Sequence, residues 1–152
     1  MTEVPCEVWF YHLERSALEQ VLPELLERTL SRGWRAKVRS ADRARLETLD
    51  ALLWTYRDES FLPHGQASEP LAERQPVLLS DQDETPNGAE ALFVIDGDPG
   101  DLVGHTRCVL IFDGRQEEAL AQARRLWARY RKAGHAVTYW RQSEGRGWEK
   151  QA

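Results

Sequence analysis

The sequence predicts a single α/β domain with a mostly parallel sheet flanked by helices in three layers. Strand-like and helix-like segments alternate along the first half of the chain, which is typical of parallel sheets. Two later segments, 89–96 and 108–113, are almost continuously apolar, as expected for central strands that are buried on both faces. The chain has 152 residues, of which 41% are hydrophobic and 30% are charged, so it is long enough to form one core of its own.

The first two predicted elements are a strand and a long helix. Glu7–Leu13 is rich in aromatic and branched residues, which favours a strand. Ser16 has the side chain of a helix cap, and Glu19 three residues later would complete a capping box. The helix is expected to kink at Pro23 and to stop just before Gly33.

A second strand and helix follow, and after them the pattern changes. Residues 34–39 predict a short strand, and Ser40, or alternatively Asp42, is expected to cap a helix that ends near Trp54. Residues 57–75 contain two prolines and little periodicity, which predicts a long surface loop. Loops of that length in compact domains are often functional.

The second half of the chain supplies the remaining strands and one more helix, which Gly134 is expected to end. Residues after Gln142 are expected to form a frayed tail, so the domain is predicted to span 1–142, with 143–152 as its tail. The predicted elements are strands at 76–80, 91–96 and 108–113, a helix at 116–132 and a last strand at 136–140.

Composition and motifs argue against several classes of function. The net charge of −5 argues against nonspecific binding of nucleic acid by the chain as a whole. Residues 13–16, where the first strand ends, include no glycine that would let a phosphate approach the backbone, so no nucleotide site is expected. No cofactor is predicted. Cys6 and Cys108 lie in apolar runs without metal-ligand spacing, which fits buried thiols in a reducing cytosol. No segment resembles a secretion signal or a membrane span, so a cytoplasmic protein is expected.

Asp96, Asp98 and Asp113 make the best case for catalysis. They follow neighbouring predicted strands, and carboxylates at adjacent strand ends hold Mg²⁺ for phosphoryl transfer in many enzymes. The competing interpretation is that Asp-Gly pairs simply form turns after strands. A metal-dependent phosphoryl-transfer enzyme is therefore kept as the alternative function. Four histidines are scattered without helical ligand spacing and predict no metal site: His12, His64, His105 and His135.

The helix predicted at 116–132 carries two stripes at helical spacing. One is apolar and is expected to face a core. The other comprises Leu120, Arg124, Trp127 and Arg131, so it places an indole between two guanidinium groups. Tryptophan and arginine are enriched at binding hot spots, and arginine pairs with carboxylates, so this stripe suits an acidic peptide with a hydrophobic end. The alternative is a solvated helix face whose tryptophan tucks into the core.

Several segments resemble the chi subunit of bacterial DNA polymerase III, and the resemblance covers nearly the whole chain. The most specific is the second helix ending in LLW with the ESFLPHG loop after it, followed by ARRLWARYRKAGH in the last helix. VWFYHL and LLERTLSRGWR agree as well. The resemblance implies an α/β fold similar to nucleotide-binding folds without a nucleotide site. It also implies a non-enzymatic clamp-loader accessory protein in DNA replication.

The resemblance implies a first binding surface on the last helix. Chi proteins bind the acidic C-terminal tail of the single-stranded-DNA-binding protein (SSB), which ends in Ile-Pro-Phe. By motif, the tail-binding residues fall on Arg124, Trp127 and Arg131, with Trp127 where the family has a tyrosine. Leu120 stands where the family has a lysine, which implies a weaker grip on the aspartates of the tail. DNA would then be reached indirectly, through SSB.

A second implied surface binds the psi subunit, which tethers chi proteins to the clamp loader. It falls on Trp54, Phe61 and Pro63, with a helicase as another partner to be considered. An apolar loop beside a tryptophan at a helix end is also typical of an exposed apolar surface that a partner protein covers. The alternative is that this loop packs onto its own domain. A peptide-binding module unrelated to chi is a further alternative for the chain as a whole.

Overall fold

The computed structural model describes residues 6–55, 64–66, 72–82, 84–99, 102, 104–142 and 147–151. Within these residues, one eight-stranded sheet is accompanied by three α-helices and a short 3-10 turn at Ala72–Arg74. The elements are β1 (Glu7–Leu13), α1 (Leu18–Ser31), β2 (Ala36–Arg39), α2 (Arg43–Thr55), β3 (His64–Gln66), β4 (Val77–Ser80), β5 (Ala91–Val94), β6 (Arg107–Asp113), α3 (Glu117–Lys132), β7 (Val137–Gln142) and β8 (Trp148–Lys150). None of the helices in this part of the chain has the length and hydrophobicity needed to cross a bilayer.

The sheet confirms the predicted fold class. Its strand order is β3-β4-β2-β5-β6-β1-β7-β8, and its pairs are parallel except the antiparallel pair β7–β8. The chain leaves β1 for β2 in one direction along the sheet and leaves β6 for β7 in the other. Because such crossovers are right-handed, α1 and α3 lie on opposite faces. The structure is therefore a three-layer domain.

Each face of the sheet has its own core, since successive side chains of β1 point in opposite directions. Phe10 is fully buried and belongs to the cluster on the α3 side, together with Leu126. Leu13 belongs to the cluster on the other side, with Leu22 of α1. The long apolar runs of β5 and β6 are buried on both faces, as the sequence predicts.

The prediction that Ser16 caps α1 is wrong. The helix begins at Leu18, and the Gln20 side chain accepts a hydrogen bond from the Ala17 backbone N–H at 3.2 Å. The Ser16 hydroxyl instead accepts a hydrogen bond from Gln142 Nε2 at 2.7 Å. The Ser16 side chain is thus bound by Gln142 of β7, which is distant in sequence, and is not available to cap the helix. α1 continues through Pro23 to Ser31.

Asp42, the less favoured of the two predicted caps, is the one that caps α2. Its Oδ1 accepts a hydrogen bond from the Ala44 backbone N–H at 3.0 Å. Ser40 is buried, and its hydroxyl donates to Asp96 Oδ2 at 2.5 Å. The preference for Ser40 was wrong because its side chain joins two strand ends.

Two segments predicted to be irregular contribute strands. His64–Gln66, inside the predicted loop, pairs with β4 at one edge of the sheet. Trp148–Lys150, in the predicted frayed tail, pairs with β7 at the other edge, and the Trp148 ring lies 4.9 Å from the ring of Tyr11. Strands of three residues are too short to show the two-residue periodicity that identifies a strand.

The loop after β1 is closed by a side chain from β7. Gln142 Oε1 accepts hydrogen bonds from the backbone N–H groups of Glu14, Arg15 and Ser16, at 3.0, 2.8 and 3.1 Å. In nucleotide-binding sheets, the turn after the first strand directs such N–H groups at a phosphate. Here an amide oxygen of the chain itself takes that place, which gives a physical reason for the missing glycine motif.

Candidate functional site

A groove of about 380 Å³ lies beside α3, where that helix meets the carboxyl ends of β1 and β7. Leu120 and Arg124, two of the residues predicted to form a binding stripe, form its helical wall. Its lining consists of His12, Glu14, Gly114, Leu120, Arg124, Tyr139, Arg141 and Gln151. Helix, strand and turn residues that are distant in sequence therefore meet in one concave surface.

His12 and Tyr139 form the inner part of this groove. A hydrogen bond of 2.6 Å joins His12 Nδ1 to the Tyr139 hydroxyl. Burial lowers the pKa of His12 and raises that of Tyr139, so both side chains are neutral near pH 7. Gly114 permits this arrangement, because a Cβ at that position would overlap the His12 ring.

The charges around the groove are two arginines and one glutamate. Arg141 pairs with Glu14 at 2.6 Å, and this hydrogen-bonded pair lowers the pKa of the Glu14 carboxyl. Arg124 is exposed, and among the described residues no carboxylate lies within ion-pair distance of its guanidinium group. Its charge still reaches the Tyr139 hydroxyl and opposes the rise in pKa that burial causes there. The groove thus presents an unengaged cation next to neutral hydrogen-bonding groups.

Trp127 and Arg131 adjoin the groove but do not line it. The indole of Trp127 is half-buried, 5.7 Å from the ring of Phe10 and 5.6 Å from that of Tyr139. The guanidinium of Arg131 lies 5.7 Å from the centre of the same indole. The ring therefore packs sideways onto the core and remains partly exposed beside Arg131, and the assignment of these residues to a binding surface stays a prediction.

The sequence interpretation missed the residues from the strands. The scattered spacing of the histidines predicts no site at His12, and no local pattern singles out Tyr139 or Arg141. Tyr139 and Arg141 are two residues apart on β7, so their side chains point to the same face of the sheet. This spacing is the sequence signal that could have identified them. That face could be joined to α3 only by the pairing of β7 with β1, which no local pattern specifies.

The second predicted surface falls largely outside the described residues. Phe61 and Pro63 lie in the segment 56–63, which the structure does not describe. Trp54 lies in the last turn of α2, without a described side chain. The assignment of these residues to a partner surface therefore stays a prediction.

The three aspartates of the alternative enzyme are each bound to different partners. Asp98 accepts a hydrogen bond from Arg129 Nη1 at 2.8 Å, and Asp113 pairs with Arg115 at 2.8 Å. Asp96 accepts hydrogen bonds from the Ser40 hydroxyl and from the backbone N–H of Ala41. Within the described parts of the chain, no group of three or more potential metal ligands occurs. The geometry thus gives the phosphoryl-transfer alternative no support.

The remaining histidines and the cysteines have structural surroundings. His64 Nε2 lies 2.7 Å from Asp50 Oδ1, and His135 Nδ1 makes a 2.8 Å hydrogen bond with the backbone carbonyl of Cys6. Both cysteines are buried free thiols, and burial raises the pKa of Cys6 to about 11. A thiol with so high a pKa is a poor nucleophile.

Comparison with known proteins identifies the family. The family described as DNA polymerase III chi subunit, HolC, matches residues 6–138, which include β1, α3 and the first residues of β7. The chain belongs to the chi subunit family. The members of this family are named as subunits of DNA polymerase III.

Two curated relatives carry the same name. A probable DNA polymerase III subunit chi from Rickettsia prowazekii (strain Madrid E) is 28% identical over 85 residues, which cover 56% of this chain and 52% of the relative. The DNA polymerase III subunit chi from Pseudomonas aeruginosa is 39% identical over 54 residues, or 36% of this chain and 38% of the relative. The matched stretches thus span about half or less of these relatives.

Proposed function

We propose that this chi-family protein is a non-enzymatic adaptor whose α3 groove holds the acidic C-terminal tail of SSB. The observation that carries the proposal is the unengaged guanidinium of Arg124 at the rim of a groove with aromatic and apolar walls. An adaptor of this kind would link the clamp loader to SSB-coated DNA, with DNA reached through SSB.

The chemistry of the groove suits a peptide that ends in a hydrophobic residue and a carboxylate. Arg124 offers a planar fork of N–H donors to the carboxylate. Leu120 and Tyr139 provide apolar area for the terminal side chain, and both line the groove. Trp127 and Arg131 extend the same surface along α3, where further acidic residues of the tail would lie.

One such contact is expected to be modest in affinity, because Arg124 is exposed and Leu120 adds no charge. SSB on coated DNA presents many tails close together. Rebinding to neighbouring tails raises the effective concentration, so the adaptor would be retained without a tight single contact.

The proposal is tested by calorimetric titration of the protein with an SSB-tail peptide. We expect Arg124→Ala to weaken binding about tenfold or more, because a hydrogen bond to a charged group contributes roughly 1.5–3 kcal/mol. Arg125→Ala is the matched control: it removes a neighbouring exposed arginine whose guanidinium is bonded to Gln122. Amidation of the peptide C-terminus should weaken binding of the wild type and have little effect on Arg124→Ala. Equal affinities for Arg124→Ala and wild type would remove Arg124 from the site.

The partner of the second surface would be psi or a helicase. We infer from the family motif that Trp54, Phe61 and Pro63 form an apolar patch for it, separate from the α3 groove. Phe61→Ala should abolish capture of that partner and keep the affinity for the tail peptide. If Phe61 instead packs inward, the same change should cost roughly 3–5 kcal/mol of folding stability, which a denaturant melt would detect.

A further inference from the structure

Aromatic rings and guanidinium groups alternate across the sheet on the face opposite α3. The Arg32 guanidinium lies 4.5 Å from the centre of the Trp34 ring. Arg107 lies between two indoles, 5.1 Å from the centre of Trp34 and 3.9 Å from that of Trp9. The Trp9 ring is in turn 6.0 Å from the ring of Trp140. We call this row, together with its continuation onto β8, the aromatic stripe.

The stripe continues across the last strands. Tyr11 is paired in register with Trp140 of β7, so both side chains point to the same face. Trp148 of β8 lies on that face too, with its ring 4.9 Å from the ring of Tyr11. Trp9, Trp140 and Trp148 are half-buried at the margin of the core, so parts of three indoles reach the surface.

Cations accompany the stripe. Arg28 of α1 and Arg32, the residue that follows the last turn of α1, are both exposed, and Lys150 is exposed on β8. No carboxylate within the described residues forms an ion pair with any of these three side chains. Arg28 lies close enough for its charge, with that of Arg107, to act on the Tyr11 hydroxyl, whose pKa is raised by burial. In a chain with a net charge of −5, this is a local concentration of available positive charge.

Arg107 plays a different part from these cations. It pairs with Glu7 at 3.0 Å, and its side chain is only 14% exposed. It therefore holds the rings of Trp9 and Trp34 apart in a fixed arrangement. The exposed side chains of Arg28, Arg32 and Lys150 are instead accessible to an anionic ligand.

We propose that the aromatic stripe binds single-stranded DNA directly, with bases stacking on the accessible parts of the half-buried indoles and phosphates pairing with Arg28, Arg32 and Lys150. Rows of aromatic rings bordered by cations bind single strands because each base has a face to stack and each phosphate a charge. Bases in a duplex are already stacked on one another. The carboxylates of an acidic peptide would pair with the cations, but they would not stack on a row of aromatic rings.

The dimensions of the stripe fit such a ligand. The stripe crosses five strand spacings, from β2, which begins near Trp34, to β8, which carries Trp148. At about 4.8 Å for each spacing, its length is roughly 24 Å. Single-strand sites on small domains cover about 4 nucleotides or more. The stripe lies on the opposite face of β1 and β7 from the α3 groove, so a tail and a DNA segment would not compete. This inference is independent of the proposed SSB contact.

The test is a titration of the intact protein, without SSB, with a labelled oligothymidylate of about 12 nucleotides at low salt, followed by fluorescence anisotropy and tryptophan quenching. We expect saturable binding with quenching of tryptophan fluorescence, and an affinity that falls as salt is raised. Arg28→Glu with Arg32→Glu should weaken binding at least tenfold. The matched control is Arg125→Glu with Lys132→Glu, which makes the same change of charge on exposed positions of α3 and should stay within about twofold of wild type.

Two further measurements separate stacking from attraction by charge alone. An abasic strand of the same length should bind at least tenfold more weakly than oligothymidylate. Trp148→Ala should weaken binding, and Trp148→Phe should retain most of it, with thermal melts to confirm that both variants are folded. Absence of binding at about 50 mM salt, where phosphate contacts are strong, would overturn the proposal. So would equal affinity for the abasic strand, or an equal loss in the two charge-reversed pairs.

Discussion

Gly114→Ala is the substitution for which the structure makes the sharpest prediction. A Cβ at this position would overlap Nε2 and Cδ2 of the His12 ring, and even Cε1 would lie only 2.7 Å away. The ring has little room to retreat, because His12 is buried and is hydrogen-bonded to Tyr139 at 2.6 Å. It also packs against Phe112, with 5.1 Å between ring centres. Backbone strain is not the cause, since Gly114 is not among the glycines with positive φ.

The expected cost has two parts. Overpacking of a well-filled site costs about 1–3 kcal/mol. Loss of the hydrogen bond between His12 and Tyr139 adds about 0.5–1.5 kcal/mol. The free energy of unfolding should therefore fall by about 1.5–4.5 kcal/mol. At roughly 2–4 °C per kcal/mol for a chain of this size, the Tm should fall by about 3–18 °C.

A double-mutant cycle measures the effect by denaturant and thermal unfolding. In the His12→Ala background, the added methyl group has no ring to displace, so Gly114→Ala should cost no more than about 0.5 kcal/mol. Gly134→Ala is the control: its cost comes from a φ of 94°, with no neighbour within 4 Å of the added Cβ, so His12→Ala should not relieve it. A cost for Gly114→Ala that is absent, or is the same in both backgrounds, would show that the His12 ring does not oppose the added methyl group.

Three other predictions concern the loop after β1, the buried histidines and position 120. Gln142→Ala leaves three backbone N–H groups without their acceptor, and denaturant melts should show a loss of about 1–3 kcal/mol, whereas Gln122→Ala on α3 should be nearly neutral. Burial lowers the pKa of His12 and of His105, so below about pH 6.5 the unfolded chain binds more protons than the folded chain does. The free energy of unfolding should therefore be highest above that pH and should decline as the pH falls towards 5. A free energy of unfolding that does not change over this range would contradict the prediction. Leu120→Lys should steepen the salt dependence of tail binding, and equal slopes for variant and wild type would show that position 120 does not meet the acidic tail.

The sequence was sufficient for the parallel sheet because long apolar runs and regular alternation of elements are strong local signals. β5 and β6 illustrate this, since their burial on both faces leaves an unbroken apolar run. β3 and β8 were missed because three paired residues show no periodicity. β3 is a strand because it pairs with β4, and β8 is a strand because it pairs with β7.

The same distinction applies to the groove. Leu120 and Arg124 were found because four residues at helical spacing share a face of one helix. The opposite wall was not found, because His12 and Tyr139 are 127 residues apart and meet only through strand pairing. Ser16 was misassigned for a related reason, since its partner Gln142 lies on the same distant strand.

The central claim is that the α3 groove binds the SSB tail, and the most direct test is binding of the protein to intact SSB and to SSB without its acidic C-terminal tail. The measurement is made by surface binding without DNA, so that the aromatic stripe does not contribute. We predict that removal of the tail, or Arg124→Ala in this protein, abolishes most of the binding. Arg28→Glu with Arg32→Glu should leave it unchanged. Binding of equal strength to tail-less SSB would contradict the account.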